Sequence, residues 1–174
     1  MGAEVKALLF ACAGLFGLSL APALVVAAPV AGLPPSSSAV REISGPVLEA
    51  DVRPLFDDVP AEGYPDHFPF GQCTWWAAFN VHVTWWGNAG EWMTNARAAG
   101  RATSATPAVH SIVVYRASPG YGSWGHVGLV VAVGTGSLRV SEMNYADGGR
   151  GTGIVDLRES PWPDSLVEGF VLPG

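Results

Sequence analysis

Two cysteines stand in the 174-residue chain, Cys12 and Cys73, together with four histidines. Cys73 follows Pro69-Phe70-Gly71-Gln72 and opens the run Thr74-Trp75-Trp76-Ala77-Ala78-Phe79, whose aromatic residues recur at helical spacing. Pro69 to Gly71 read as a turn, so Cys73 falls at or near a helix N-terminus. There, unpaired N–H groups and the helix dipole favour an anion. A thiolate is the nucleophile, and an ordinary cysteine with pKa ~8.5 is mostly protonated at neutral pH. A histidine acting as base or imidazolium partner would activate it further. The chemistry within reach is nucleophilic attack by a sulfur. The bland alternative is an inert cysteine packed as a small hydrophobe.

His82 lies along the same predicted helix, on the side away from Cys73, and cannot approach it. His67 sits in a turn-rich segment, and His110 precedes a strand. His126 opens an apolar strand directly after Gly120-Tyr121-Gly122-Ser123-Trp124-Gly125, a loop that leaves room above the ring. It is the best-placed base, with His67 and His110 as the alternatives. The strands His126–Val133 and Leu138–Tyr145 flank Gly134-Thr135-Gly136 and read as a hairpin. If the loop centres on Thr135, His126 faces Asn144 and Gly128 faces Glu142. Period-two alternation then puts His126, Glu142 and Asn144 on one face, where a carboxylate or amide could fix the imidazole tautomer. A one-residue slip would send both to the other face. The alternative for Glu142 and Asn144 is an exposed strand end.

The elements that must position these residues occupy the second half of the chain. All seven tryptophans lie between Trp75 and Trp162, which marks the core-forming stretch. A second helix is punctuated by Asn88 as N-cap, Glu91 as its capping-box partner and Gly100 as stop, with Trp92, Ala96 and Ala99 as its inner face. Strands follow at Ser111–Tyr115, at the hairpin, at Gly153–Leu157 and at Glu168–Leu172. Helices before a run of antiparallel strands predict an α+β fold. Residues 32–62, with Pro34-Pro35-Ser36-Ser37-Ser38, read as a linker containing one short ordered piece at Val52 to Phe56.

Before the linker, residues 1–31 carry one lysine, Lys6, then an apolar run with small residues near Ala23 and Ala27. This is the pattern of a signal peptide, or of a retained membrane anchor. Either exports the rest to a secreted or cell-envelope location. The exported part keeps the net charge of −6, contains no lysine, and holds Cys73 as its sole thiol. It cannot form an internal disulfide, and an unpaired exported thiol calls for a partner or a task. The acidic balance disfavours nucleic acid as a partner. No cofactor motif occurs, and a monomer is expected.

Phe70-Gly71-Gln72-Cys73-Thr74-Trp75-Trp76-Ala77-Ala78, then Trp86-Gly87-Asn88-Ala89 with Trp92, then Gly125-His126-Val127, then Ser141-Glu142-Met143-Asn144-Tyr145 resemble the CHAP family (cysteine, histidine-dependent amidohydrolase/peptidase). The four motifs occur in the family's order, and the resemblance extends from about Tyr64 to Leu172. It implies a catalytic domain over residues 63–174 with a papain-like, NlpC/P60-related α+β fold, N-terminal helices packing on an antiparallel sheet. It also implies cleavage of an amide bond in the peptide of bacterial peptidoglycan, by an endopeptidase or an N-acetylmuramoyl-L-alanine amidase. The implied nucleophile is Cys73, the base His126 and the orienting residue Glu142, with Asn144 close by.

Gln72 is expected at the oxyanion site, and Trp124 and Tyr121 along the substrate groove. Trp75, Trp76, Trp85 and Trp92 are expected in the core. His110-Ser111 stands where the family often has Gly-Asp, and Trp76 where Tyr is common. Some phage members bind calcium through clustered aspartates, but Asp57, Asp58 and Asp66 do not reproduce that spacing, so no metal is assigned. The rival readings are a catalytically inactive wall-binding module of the same fold and a structural or acylated thiol.

Overall fold

The computed structural model describes residues 40–41, 43–145 and 151–174. The leader expected over residues 1–31 lies outside them. Helix α1 runs from Cys73 to Asn80 and α2 from Trp92 to Ala98. Seven strands follow or flank them: β1 (Gly45–Pro46), β2 (Thr103–Ser104), β3 (Ile112–Tyr115), β4 (His126–Val133), β5 (Ser137–Met143), β6 (Ile154–Pro161) and β7 (Val167–Val171). They form one sheet in the order β1-β6-β5-β4-β3-β7-β2, with every neighbouring pair antiparallel. This is the expected α+β arrangement.

The sheet buries both faces, which explains the unbroken apolar run Ile112-Val113-Val114-Tyr115. On one face Ile112, Val114, Val127, Leu129 and Met143 pack against Trp75, Trp76 and Phe79 of α1 and Trp92 and Met93 of α2. On the other, Val113, Tyr115, Tyr121, Val130, Leu138, Val140 and Phe170 form a second cluster. The four tryptophans assigned to the core are all buried on the helix side, none more than 5% exposed. The expected capping box is present on the 3-10 turn Ala89–Glu91 that leads into α2: the Glu91 carboxylate accepts from the Asn88 N–H at 2.7 Å. One detail of this helix differs from expectation. Ala99 is exposed and Met93 packs inward, because α2 ends at Ala98 before the chain turns at Gly100.

The described part of the expected linker is not a tether. Gly45–Pro46 pairs with Val155 and Ile154 of β6, while Val52, Leu55 and Phe56 are buried in the helix-side core. Asn80, the last residue of α1, accepts the Leu55 N–H at 2.5 Å and donates to the Trp76 carbonyl at 2.9 Å, so the helix end holds this segment. Proline and charged residues hide the pattern in the sequence, since the apolar residues follow no single period. Three such side chains, at ~1.5–3 kcal/mol each, supply several kcal/mol in a domain whose total is ~5–15 kcal/mol. A chain shortened to begin at Gly63 is therefore expected to melt far below one beginning at Val40. Thermal unfolding followed by circular dichroism checks this, and equal melting temperatures would refute it.

Candidate active site

Cys73 is the first residue of α1, with Gln72 as an extended N-cap. His126 is the first residue of β4, and Glu142 stands one residue before the end of β5. His126 Nε2 lies 3.1 Å from Glu142 Oε2, with the two side chains 3% and 0% exposed. The ring's other nitrogen is left for the Cys73 sulfur, which hydrogen-bonds the imidazole and also receives the backbone N–H groups of Thr74 and Val127. A cavity of about 430 Å³ opens onto Cys73 and His126 and is lined in part by Gln72, Tyr121, Trp124 and Asn144. The structure thus gathers Gln72, Cys73, Tyr121, Trp124, His126 and Asn144 around one opening, with Glu142 buried beside His126.

The electrostatics follow from that packing. Burial pushes the Cys73 thiol up, but the hydrogen bond and charge of His126 and the two N–H groups outweigh it, so the thiol is held below its ordinary value. Burial pulls His126 down, yet Cys73 and Glu142 more than offset it and raise the imidazole to about 9. Burial also opposes the Glu142 charge, and hydrogen bonds from His126 and Arg158 reverse that and hold its carboxyl below the usual range. The three groups favour thiolate, imidazolium and carboxylate together.

The hairpin register accounts for the His126–Glu142 contact. Near the turn, Val133 pairs with Leu138 and Ala132 with Arg139. An irregularity between Val130 and Ala132 then shifts the ladder to Val130↔Val140 and Leu129↔Ser141. Beyond that shift the register matches a turn centred on Thr135. Gly128 makes the approach of the two side chains feasible: a Cβ there would fall 2.4 Å from Val140 Cγ1 and 3.3 Å from the Glu142 Cβ. Gly125, at φ 73°, closes the preceding loop where a Cβ would meet the backbone of Gly90 and the Tyr115 carbonyl at 2.7 Å.

Asn144 departs from its expected place opposite His126. It has left β5 in a left-handed conformation, φ 53°, and its Nδ2 donates to Gln72 Oε1 at 2.7 Å. That bond occupies the side-chain carbonyl of Gln72, a residue that lines the cavity. Trp124 is 69% exposed on the rim, whereas Tyr121, 7% exposed, stacks on Tyr115 with centroids 4.1 Å apart.

The other histidines are engaged elsewhere. His67 contacts the Trp85 carbonyl at 3.2 Å, and His110 stacks on Phe56 and pairs with Asp58 at 3.4 Å. His82 lies past the end of α1 and stacks on Tyr64. Asp66 Oδ1 accepts the Phe68 N–H in a local turn.

One residue of this cluster escaped the sequence reading. Arg158 of β6 donates from Nε to Glu142 Oε1 at 2.6 Å and from Nη2 to Glu142 Oε2 at 3.2 Å. β6 begins at Ile154, well beyond the end of β5 at Met143, and the sequence between them sets no register for the pair. No local signal pairs Arg158 with Glu142.

The family model of the CHAP domain matches residues 63–144. The resemblance to the CHAP family holds. Over 88 residues the chain is 42% identical to a provisionally named hydrolase of Streptococcus mutans serotype c, covering 46% of this chain and 37% of that one. Over 92 residues it is 40% identical to the staphylococcal secretory antigen SsaA of Staphylococcus aureus, covering 51% of this chain and 33% of the antigen. The crystal structure of an N-acetylmuramoyl-L-alanine amidase from Staphylococcus aureus superposes with a TM-score of 0.53 at 25% identity, covering 68% of this chain and 36% of that one. The chain spans about a third of the length of these relatives. The fold expected of the CHAP domain, helices packed on an antiparallel sheet, is the one described above.

Proposed function

We propose that the CHAP domain is a cysteine-dependent hydrolase that cleaves an amide bond in the peptide of bacterial peptidoglycan, outside the cytoplasm. The observation that carries this reading is the continuous Cys73–His126–Glu142 contact at the floor of an open cavity. Its likeness to the staphylococcal amidase supports the substrate class. The Cys73 thiolate attacks the amide carbonyl carbon, and the carbonyl oxygen takes the negative charge. The Cys73 backbone N–H and the Gln72 amide are the donors placed to receive it. His126 gives its proton to the leaving amine, so the C–N bond breaks and a thioester remains. His126, now neutral, draws a proton from water; hydroxide addition and loss of the thiolate restore the starting state. Trp124 and Tyr121 flank the path of the bound peptide.

Incubating the protein with purified cell walls and weighing the released fragments by mass spectrometry tests the proposal. New N-terminal amines within the stem or cross-bridge identify an endopeptidase, and free lactyl-ether carboxyls identify an amidase. Binding to walls without release of any fragment would favour an inactive wall-binding module.

The rate should follow a bell in pH. It rises as the thiolate forms, below the ordinary cysteine range, and falls as His126 loses its proton near pH 9, since a neutral imidazole cannot protonate the leaving amine. A wall-turbidity assay across that range reads both limbs. A flat profile would exclude the pair.

A further inference from the structure

The face of the sheet that carries His126 and Glu142 also holds a permanent cation that the mechanism above leaves unused. Arg158 lies directly across from Val140 on the neighbouring strand, hence diagonal to Glu142 and on its side of the sheet. The guanidinium engages both oxygens of the carboxylate, and the same Oε2 that it contacts at 3.2 Å faces His126. Its carbon sits 4.3 Å from the Tyr145 ring centroid, 5.7 Å from that of Tyr121 and 5.8 Å from that of Tyr115. Arg158 Nη2 also reaches the Tyr121 hydroxyl at 3.4 Å. Three aromatic faces and a two-point grip restrict the fork to one orientation.

We propose that Arg158 is a positioning residue of the site, which fixes the plane of the Glu142 carboxylate against His126 and supplies the positive charge that keeps it ionised away from water. This rests on the Cys73–His126–Glu142 reading given above. The groups that face the cluster are Cys73 from α1, His126 from β4, Glu142 from β5, Asp156 and Arg158 from β6, Tyr115 from β3, and Tyr121 and Tyr145 from the adjoining loops. Thiolate, imidazolium, Glu142 carboxylate and guanidinium sum to no net charge. Without the guanidinium the same reactive form is an uncompensated anion, with Asp156 a second acid directly opposite Glu142. Such a cluster keeps a proton to higher pH, on sulfur or on carboxylate. In both cases the thiolate appears later as pH rises. Orienting Glu142 and setting the onset of the thiolate are then two effects of one side chain.

The test is the rate of Cys73 alkylation by iodoacetamide in the full chain, followed between about pH 4 and pH 10, which needs no wall substrate. Arg158→Met should move the acid limb up by about one pH unit or more, giving about tenfold slower alkylation below it. Arg158→Lys keeps the charge and should restore the limb, while wall hydrolysis stays slower because the fork is lost. An unmoved limb in folded Arg158→Met overturns the proposal, as does a lower melting temperature as the sole change. Should Arg158→Met not fold, the Glu142→Gln background removes the orphaned acid. Adding Arg158→Met there should slow alkylation no further, and an additional tenfold loss would show that Arg158 acts apart from Glu142. Ordinary thiol titration in the unaltered protein would instead sink the Cys–His reading itself, whatever Arg158 does.

Discussion

Replacing Cys73 by alanine is expected to lower wall hydrolysis by at least ~10⁴-fold while leaving the melting temperature nearly unchanged. The two halves of this expectation have separate grounds. No other thiol occurs among the described residues, so no second sulfur can take over the attack. Removing the nucleophile deletes the covalent route, and what remains is the modest help of the oxyanion donors and binding. The fold should persist because Cys73 is half-buried at the edge of an open cavity, so truncating it exposes little core. Without the thiolate His126 can rest as a neutral imidazole on Glu142, whose charge Arg158 still pairs, so no buried charge is orphaned. Turbidity loss of a wall suspension and thermal unfolding, measured on the same preparation, check both halves. Lysis surviving in a folded Cys73→Ala variant would end the cysteine-hydrolase proposal.

Glu142→Gln should cost the next largest factor, roughly 10²-fold or more in kcat, about 2.7 kcal/mol of barrier. Shape and most hydrogen-bonding capacity survive this change, and the negative charge does not. The imidazolium is then stabilised by an amide dipole instead of an anion, so fewer molecules hold thiolate and imidazolium together. The amide also leaves the Arg158 charge without a counter-ion in a buried place. Asn144→Ala should cost less, about tenfold, since Asn144 acts on Gln72 and not on the ring. Single-turnover rates for both variants decide the matter. A larger loss for Asn144→Ala would move the orienting role to the amide.

These residues were legible in the sequence to unequal degrees, for reasons that lie in the backbone. The Cys73 position followed from a turn and a helical run, both local. The facing of His126 and Glu142 followed from period-two alternation across a short hairpin. The irregularity between Val130 and Ala132 was invisible, yet it left the far end of the ladder in the expected register. Asn144 escaped because nothing in its type forces the left-handed turn that takes it out of β5. Arg158 escaped because its pairing depends on the register of β5 with β6, which no hairpin signal sets. By sequence Val52, Leu55 and Phe56 look like one short ordered piece in a linker, yet tertiary burial makes them core. Local patterns reveal what neighbours in sequence decide. They are silent on partners chosen by packing.

Inside the helix-side core, the Trp76 indole N–H donates to the Ser141 hydroxyl at 3.0 Å. Trp76 lies one helical turn beyond Cys73, and Ser141 precedes Glu142. This bond, fully enclosed, rivets the element bearing the sulfur to the strand bearing the carboxylate. The proposed nucleophile and its orienting carboxylate are thus tied together through the core. Heat inactivation of the proposed activity is therefore expected to coincide with global unfolding, and residual wall lysis would then count intact molecules.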